Sequence, residues 1–345
     1  MERSRGAGNR NRNGAGSISR LQNTARRQKL RDLCAVFLFL LLLPYACSLL
    51  FGKEEIAEET AALSGQDGLR VICGTDAGRL LVPLEEYVEG ALAASISAES
   101  GTETLKAQAV ILRTLCLRAW MEENGVDPEA EEQLKSLTAA DRVSAEAAGQ
   151  KYLDAAQRRQ LWGEEYEENE VRMEEAVRQT EGMYLTLDGR VLEPAYFQLS
   201  AGKTRDGSEV LGEGYEYLVS VDCSHDIEAE DYIRTVALEE EDFRRRLGCE
   251  SGDTITLTRD SADYVLYVDT GAGRISGESF RELFGLASSC FTISEEKGKI
   301  CLTSRGVGHG LGFCQHEADR RAAEGEDYLG LLAIFFEGAD VHKNG

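Results

Sequence analysis

Twenty consecutive residues, Leu33 to Gly52, carry no charge, and their centre reads AVFLFLLLLPYACSLLF. A helix of that length rises about 30 Å, the thickness of a bilayer's hydrocarbon layer. Such a run divides a chain by a membrane before anything else about its fold is decided. The spacing predicts a single-pass helix over 33–52, with Pro44 accommodated as a kink. A cleaved signal peptide is the competing reading, but the segment ahead of the run exceeds thirty residues and no A-x-A site follows. Cys47 would suit a lipoprotein, except that Pro44 stands where a small or aliphatic residue is wanted.

Charge supports the anchor. Residues 1–33 hold nine Lys/Arg against Glu2 and Asp32, a net +7; taking that from the whole-chain −23 leaves −30 for residues 34–345. The basic flank is expected to stay cytoplasmic, which places everything after Lys53 outside, with the chain in the cell membrane. Residues 1–32, with the run GAGNRNRNGAGS, read as a basic disordered tail. Residues 53–68, opening KEEIAEET, read as a polar stalk. An outer body this acidic excludes nucleic acid as its partner, because phosphate binding needs clustered Lys and Arg.

Residues 69–345 carry the pattern of one large α+β domain, with a mixed or antiparallel sheet and flanking helices. LRVIC and RLLV around GTDAG predict a hairpin; Pro83 ends it and LEEYVEGALAA starts a helix. Ser100 with Glu103 three residues on has the form of a capping box. Leu105, Ala109, Leu112, Cys116 and Ala119 then make one helical stripe. Val110 and Ile111 add apolar surface off that stripe, so the helix is expected to be buried on most sides. Gln108, Arg113 and Thr114 must therefore find partners inside.

Residues 121–180 are acidic and read as a helical insertion with solvated faces and no site. Asp188-Gly189 within MYLTLDGRVL signals a type I′ hairpin turn. Short strands follow over 254–303, and the chain closes with a Gly-rich turn and two helices stopped near Gly338. Seven cysteines lie in the outer body, at 73, 116, 223, 249, 290, 301 and 314, without a CxxC pair. Disulfides are permitted outside the membrane, and spacing leaves their connectivity open. Cys116 and Cys301, inside apolar patterns, fit buried small hydrophobes.

Several separated segments carry a family likeness: VPLEEYVEGALAAS with ETLKAQAVILRT; QLWGEEYEENEVRMEEAVRQTEGMYLTLDGRVLEPAYF; AYFQLSAGKT with YEYLVSVDC; and GVGHGLGFCQHEADRRAAEGEDYLGLLAIFF. In that order, over roughly residues 69–341, they resemble the stage II sporulation protein D and amidase-enhancer family. The resemblance implies a membrane-anchored protein that remodels peptidoglycan during sporulation, as the mother-cell membrane engulfs the forespore. Some members look like lytic transglycosylases that cut glycan strands stripped of peptides; others enhance an amidase. The implied partners are peptidoglycan glycan strands, a cell-wall amidase or another sporulation wall hydrolase, and the membrane.

One departure bears on the chemistry. The family's catalytic Glu follows the G-x-x-A-A segment and precedes a Met-Pro pair, and here Ser95, Ile96 and Ser97 take those positions. Glycosidic cleavage needs a group that hands a proton to the leaving oxygen, normally a carboxyl of raised pKa. A serine hydroxyl is far too weak an acid, and losing a general acid costs roughly 10²–10⁴ in rate. Two readings follow. The chain is a non-catalytic glycan-binding protein or amidase enhancer, or Glu99 replaces the lost acid. Glu99 lies four residues after Ser95 and shares its face if residues 91–99 stay helical, whereas a helix start at Ser100 implies a break. If cleavage occurs, Glu99 acts as acid and then base, and the product is a 1,6-anhydro sugar.

The resemblance also marks His309 and Gln315 as site residues. Gln198 stands where many relatives have His, and Gln198, Ser200 and Thr204 are either hydrogen-bond partners for sugar hydroxyls or a polar strand end. Glycines around His309 are expected to let a ligand approach the backbone. The run is not G-x-G-x-x-G, which excludes a dinucleotide site, and AGKT has Phe197 where a P-loop needs glycine. Some relatives bind zinc through Cys and His. The candidates here are Cys223-x-His225 and Cys314-x-His316, a four-ligand set if they meet in space, as in a zinc-stabilised scaffold. No other cofactor is expected.

Overall fold

The stripe of Leu105 to Ala119 lies on a long helix that is buried on most sides. A computed structural model describes residues 68–75, 78–250 and 252–343. The expected tail, the span over 33–52 and all of the stalk but Gly68 lie outside these residues. Among the described residues no helix is long and apolar enough to cross a membrane.

Helix α1 (Leu84–Ser95) and helix α2 (Thr102–Glu123) pack against each other. The stripe of α2 joins Tyr87, Val88 and Leu92 of α1 in one core. Ala107, Val110 and Ile111 face a second core, with Phe313, Leu331 and Phe335. The off-stripe residues thus have a role: α2 is held between two cores. Arg113 and Thr114 find partners inside. Arg113, fully buried, donates to both Glu85 oxygens at 2.9 and 2.5 Å and to the Met183 carbonyl at 3.0 Å. Thr114 donates to the Val110 carbonyl at 2.7 Å and accepts the Leu185 N–H at 3.0 Å.

The capping box expected at Ser100 and Glu103 does not form. Gly101 is the N-cap of α2 and has no side chain to cap with. Its N–H goes instead to Asp319 at 2.9 Å, and the Ser100 carbonyl accepts from Arg172 at 2.6 Å. Glu103 pairs with Lys106 and accepts the Tyr328 N–H at 3.0 Å, so it caps a different helix from its own. Long-range partners outcompete the local ones that the spacing offers.

Strands β1 (Arg70–Thr75) and β2 (Gly78–Pro83) form the expected antiparallel hairpin, and β3 (Arg142–Ser144) joins β1 in parallel. The acidic stretch is not a solvated appendage throughout. Helix α3 (Ala155–Trp162) opens with a capping box of Asp154 and Gln157. Helix α4 (Tyr166–Gln179) buries Met173, Ala176 and Val177 in the first core and keeps its charges outward. Between them the Arg158–Glu170 pair is bidentate, at 2.8 and 2.5 Å.

Strands β4 (Met183–Leu187) and β5 (Arg190–Val191) flank Asp188 and Gly189, whose φ values of 53° and 80° make the expected type I′ turn. Strand β6 (Tyr196–Phe197) is reserved for a pairing near the chain end. Strands β7 (Ile233–Glu239), β11 (Phe291–Glu296) and β12 (Lys299–Arg305) make one sheet, ordered β11-β12-β7. Strands β8 (Thr256–Arg259), β9 (Val265–Thr270) and β10 (Gly273–Ser276) make another. With helices α5 (Glu240–Leu247) and α6 (Gly277–Phe284) they enclose a core of Phe243, Phe280, Phe284, Phe291 and Leu302. Strand β13 (Phe313–Cys314) pairs with β6 in parallel and leads into α7 (Gln315–Ala323) and α8 (Tyr328–Phe335); β14 (Asp340–Lys343) returns beside β4.

The α+β class holds, but the single sheet does not. Among the described residues there are five separate sheets of two or three strands. Strands β3 and β4 lie against α2, whereas the two sheets of residues 233–305 enclose a core of their own.

Arg205 pins the strand-rich lobe to the rest. It is almost fully buried, donates to Asp260 at 2.5 Å and to the His309 carbonyl at 3.1 Å, and lies 5.1 Å over the Tyr264 ring. Asp260→Ala leaves a buried cation without its main partner and is expected to destabilise by about 3–5 kcal/mol, read from the denaturant midpoint. Replacing both residues, as Arg205→Met with Asp260→Leu, should cost less than Asp260→Ala alone.

Glu89 gives a second prediction. Burial, then the nearby Glu174 carboxylate, pushes its pKa up to about 7. The folded chain therefore binds this proton more tightly than the unfolded chain, and stability falls as pH rises from about 4.5 to 7. Glu89→Gln removes that loss. It should raise stability at pH 8 by roughly 1–2 kcal/mol after discounting for solvent, and have little effect near pH 4, in melts at the two pH values.

Candidate functional site

Helix α1 stops at Ser95, because Ile96 is extended at φ −143° and ψ 154°. The helical continuation needed to bring Glu99 onto the face of Ser95 is therefore absent. Glu99 is exposed, beyond a turn in which its N–H goes to the Ser97 hydroxyl at 3.3 Å. Ser95 itself is half-buried. Its hydroxyl donates to the Leu92 carbonyl at 3.2 Å, and its carbonyl accepts from the Gln315 amide at 2.9 Å. The same Gln315 nitrogen reaches Gln108 Oε1 at 3.2 Å.

Tyr196 links these groups to His309. Its hydroxyl donates to Gln150, and a side-chain hydrogen bond joins it to Ser95. The next residue, Phe197, packs on the His309 ring at a 5.8 Å centroid distance. His309 Nδ1 accepts the Leu311 N–H at 3.1 Å, and a backbone hydrogen bond ties the ring to Tyr196. Burial pushes the imidazole pKa below its ordinary 6.5, so the ring is neutral at pH 7. Ser95, Gln315 and His309 thus come together around Tyr196.

The glycines of GVGHGLG have a packing explanation. Gly308 has φ +111°, and a Cβ there would lie 2.7 Å from that of Phe197. A Cβ on Gly312, at φ +72°, would lie 2.3 Å from the Ala195 carbonyl. The loop crosses segment 195–200 too closely for any side chain. Contact within the protein, without a ligand, accounts for the alternation.

The remaining candidates divide. Gln198 is exposed, and its carbonyl accepts the His316 N–H at 3.1 Å. Ser200 and Thr204 are fully buried. Ser200 Oγ accepts the Gly202 N–H at 3.0 Å; Thr204 Oγ1 donates to the Val219 carbonyl at 3.0 Å and accepts the Val221 N–H at 2.7 Å. Both hydroxyls hold the backbone and do not line the surface at Ser95. Of the metal candidates, Cys223 and Cys314 meet, but His225 points to solvent and Asp226 takes its place. His316 Nδ1 lies 2.7 Å from Asp226 Oδ1.

Sequence reasoning missed Tyr196, Gln150 and Asp226. Gln108 was marked only as a buried group in need of a partner. Its Nε2 has no acceptor among the described residues, which leaves a buried donor beside Ser95's partner Gln315. Among the described residues, no carboxylate hydrogen-bonds to Ser95, Tyr196, Gln108, His309 or Gln315. The array offers neutral donors and acceptors, suited to an uncharged polar ligand.

The family model described as stage II sporulation protein matches residues 80–187, which contain α1, Ser95 and α2. The stage II sporulation protein D of Bacillus amyloliquefaciens is 27% identical over 266 residues, covering 76% of this chain and 75% of that protein. The stage II sporulation protein D of Bacillus subtilis (strain 168) is also 27% identical over 266 residues, with the same coverage. Over about three quarters of its length the chain is thus similar to stage II sporulation protein D.

A neutral His309 is open to measurement. Its imidazole should titrate below 6.5 in NMR of the ring protons, because burial opposes the charged form. The unfolded chain takes up that proton first, so this contribution to stability is complete above 6.5 and lost as pH falls through the folded value.

Proposed function

We propose that this protein serves sporulation at the cell envelope by binding peptidoglycan glycan strands, without cutting them. The matching family model and relatives named stage II sporulation protein D support the sporulation role. The uncharged run over 33–52 and its basic flank support an anchor that holds the domain outside the membrane. A wall amidase or another sporulation wall hydrolase is then the partner that cleaves.

The observation that carries the non-cutting reading is the environment of Ser95. A hydroxyl, bonded to its own helix at Leu92, occupies the position of the family's acid, and its neighbours are neutral. Glu99 is beyond the end of α1 and exposed. Half-buried Ser95, Tyr196 and His309 carry a hydroxyl, a phenol and an imidazole, the chemistry that hydrogen-bonds sugar hydroxyls.

The test is gain of chemistry. The full chain should co-sediment with glycan strands stripped of peptides and release no anhydro-muropeptide ends, whereas Ser95→Glu should release them. Release by the unaltered chain that Glu99→Gln abolishes would reverse the reading. Gln315→Ala should weaken strand binding about fivefold to tenfold, through loss of one hydrogen-bonding group at Ser95.

A further inference from the structure

We propose that a cavity at the start of α1 binds an anionic phospholipid of the membrane that carries the anchor. The cavity measures about 280 Å³. Its wall includes Leu84 and Glu85, in the first turn of α1, whereas Ser95 ends that helix about 16 Å further on. This is a second site, separate from the hydrogen-bonding surface around Ser95.

Two kinds of wall meet there. Leu69, Leu84, Leu117, Leu134 and Leu137 form an apolar side, where the first core reaches the surface. Arg70, Lys135 and Lys343 form a positive rim. Of the carboxylates in the wall, Glu85 is held by Arg113, which leaves Glu181 against three cations. Lys135 also reaches Glu132 at 2.7 Å. Among the described residues, no carboxylate pairs with Arg70 or Lys343. Arg142 is the in-register partner of Arg70 on β3, which puts a second guanidinium on the same edge. Residues 34–345 sum to −30, so the body as a whole repels anions, and cations gathered on one hollow mark where one can dock.

The pairing of walls selects the ligand. A bare anion would use the rim and leave the leucines wet; an apolar molecule would use the leucines and leave the cations without a counter-ion. A phosphodiester joined to an acyl chain uses both. The Arg70 guanidinium donates to phosphate oxygens as a fork, the lysines add point charges, and methylenes cover the leucines. Small-ligand cavities run to roughly 300–1,000 Å³, so this one takes the headgroup and the first part of one chain while the rest stays in the bilayer.

Position gives the source. Gly68, Leu69 and Arg70, where the chain enters the described domain, line the cavity. Fifteen residues, 53–67, separate Gly68 from the uncharged run, and that length spans at most about 50 Å. The lipid site rests in this respect on the anchor proposed above. Lipid held at the start of α1 leaves Ser95, at its far end, free for a glycan strand.

The experiment uses the full chain in phosphatidylcholine vesicles doped with a phosphatidylglycerol that carries a photoactivatable group near the start of one acyl chain. Labelled peptides are mapped by mass spectrometry. Label is expected on the run over 33–52, which reports the anchor, and in the cavity wall at residues 68–70, 83–85 and 134–137. Arg70→Gln with Lys343→Gln should lower the cavity label about tenfold to thirtyfold and leave that of the run unchanged. A photoactivatable phosphatidylcholine should label the run and spare the cavity, and inorganic phosphate should displace nothing. If the double variant does not fold, unlabelled phosphatidylglycerol should still displace the cavity label from the unaltered chain. Label on the run with none in the cavity overturns the lipid site and keeps the anchor. Label in the cavity with none on the run keeps the lipid site and overturns the anchor; label at neither place overturns both. Equal cavity label from the two lipids, no displacement by unlabelled phosphatidylglycerol, or displacement by inorganic phosphate also overturns the lipid site.

Discussion

A helix that is buried on nearly every side while carrying an arginine, a glutamine and a threonine can exist only where the surrounding fold supplies their partners. In α2 each of those groups reaches a different element. Arg113 holds Glu85 of α1 and the carbonyl at the start of β4; Thr114 takes the Leu185 N–H; Gln108 meets Gln315 at the start of α7. An unpaired buried polar group costs about 1–3 kcal/mol, more if charged, so these contacts define the packing around α2 as firmly as its apolar stripe does. The position of Ser95 follows, because α1 is fixed by Arg113 at one end and by Gln315 at the other.

The surface around Ser95 depends on a second constraint, the close crossing of GVGHGLG over segment 195–200. Glycines at positive φ remove the side chains that would collide, and the crossing turns His309 against Phe197 and Tyr196. The same crossing places β13 beside β6 and so delivers Cys314 to Cys223 and Asp226. Hydrogen-bonding surface and thiol cluster are two sides of one piece of backbone. The chemistry at Ser95 is accordingly that of neutral amides, hydroxyls and an imidazole whose proton affinity is depressed by burial.

Where sequence reading went astray, the cause was competition between local and distant partners. Ser100 and Glu103 have capping-box spacing, yet the Ser100 N–H goes to the Ser97 carbonyl and the Glu103 carboxylate takes the Tyr328 N–H. Ser200 and Thr204 look like polar residues at a strand end, yet their hydroxyls satisfy backbone inside a turn. His225 has the chemistry of a zinc ligand and Asp226 the position. Their order in the 3₁₀ turn decides which of the two faces inward.

The sequence by itself determined what depends on neighbours along the chain. It set the burial of α2 through its 3.6-residue stripe, the type I′ turn through Asp188-Gly189, the uncharged run and its basic flank, and a hydroxyl at position 95. Each of these rests on backbone periodicity, local φ preference or residue identity. Only the tertiary structure decided that the described strands divide among five small sheets, that Glu103 caps a distant helix, and that Asp226 joins two cysteines. It also decided that Tyr196 connects Ser95 to His309. Those outcomes depend on which distant groups come within hydrogen-bonding or ligand distance, and that is settled by the packing of the whole domain.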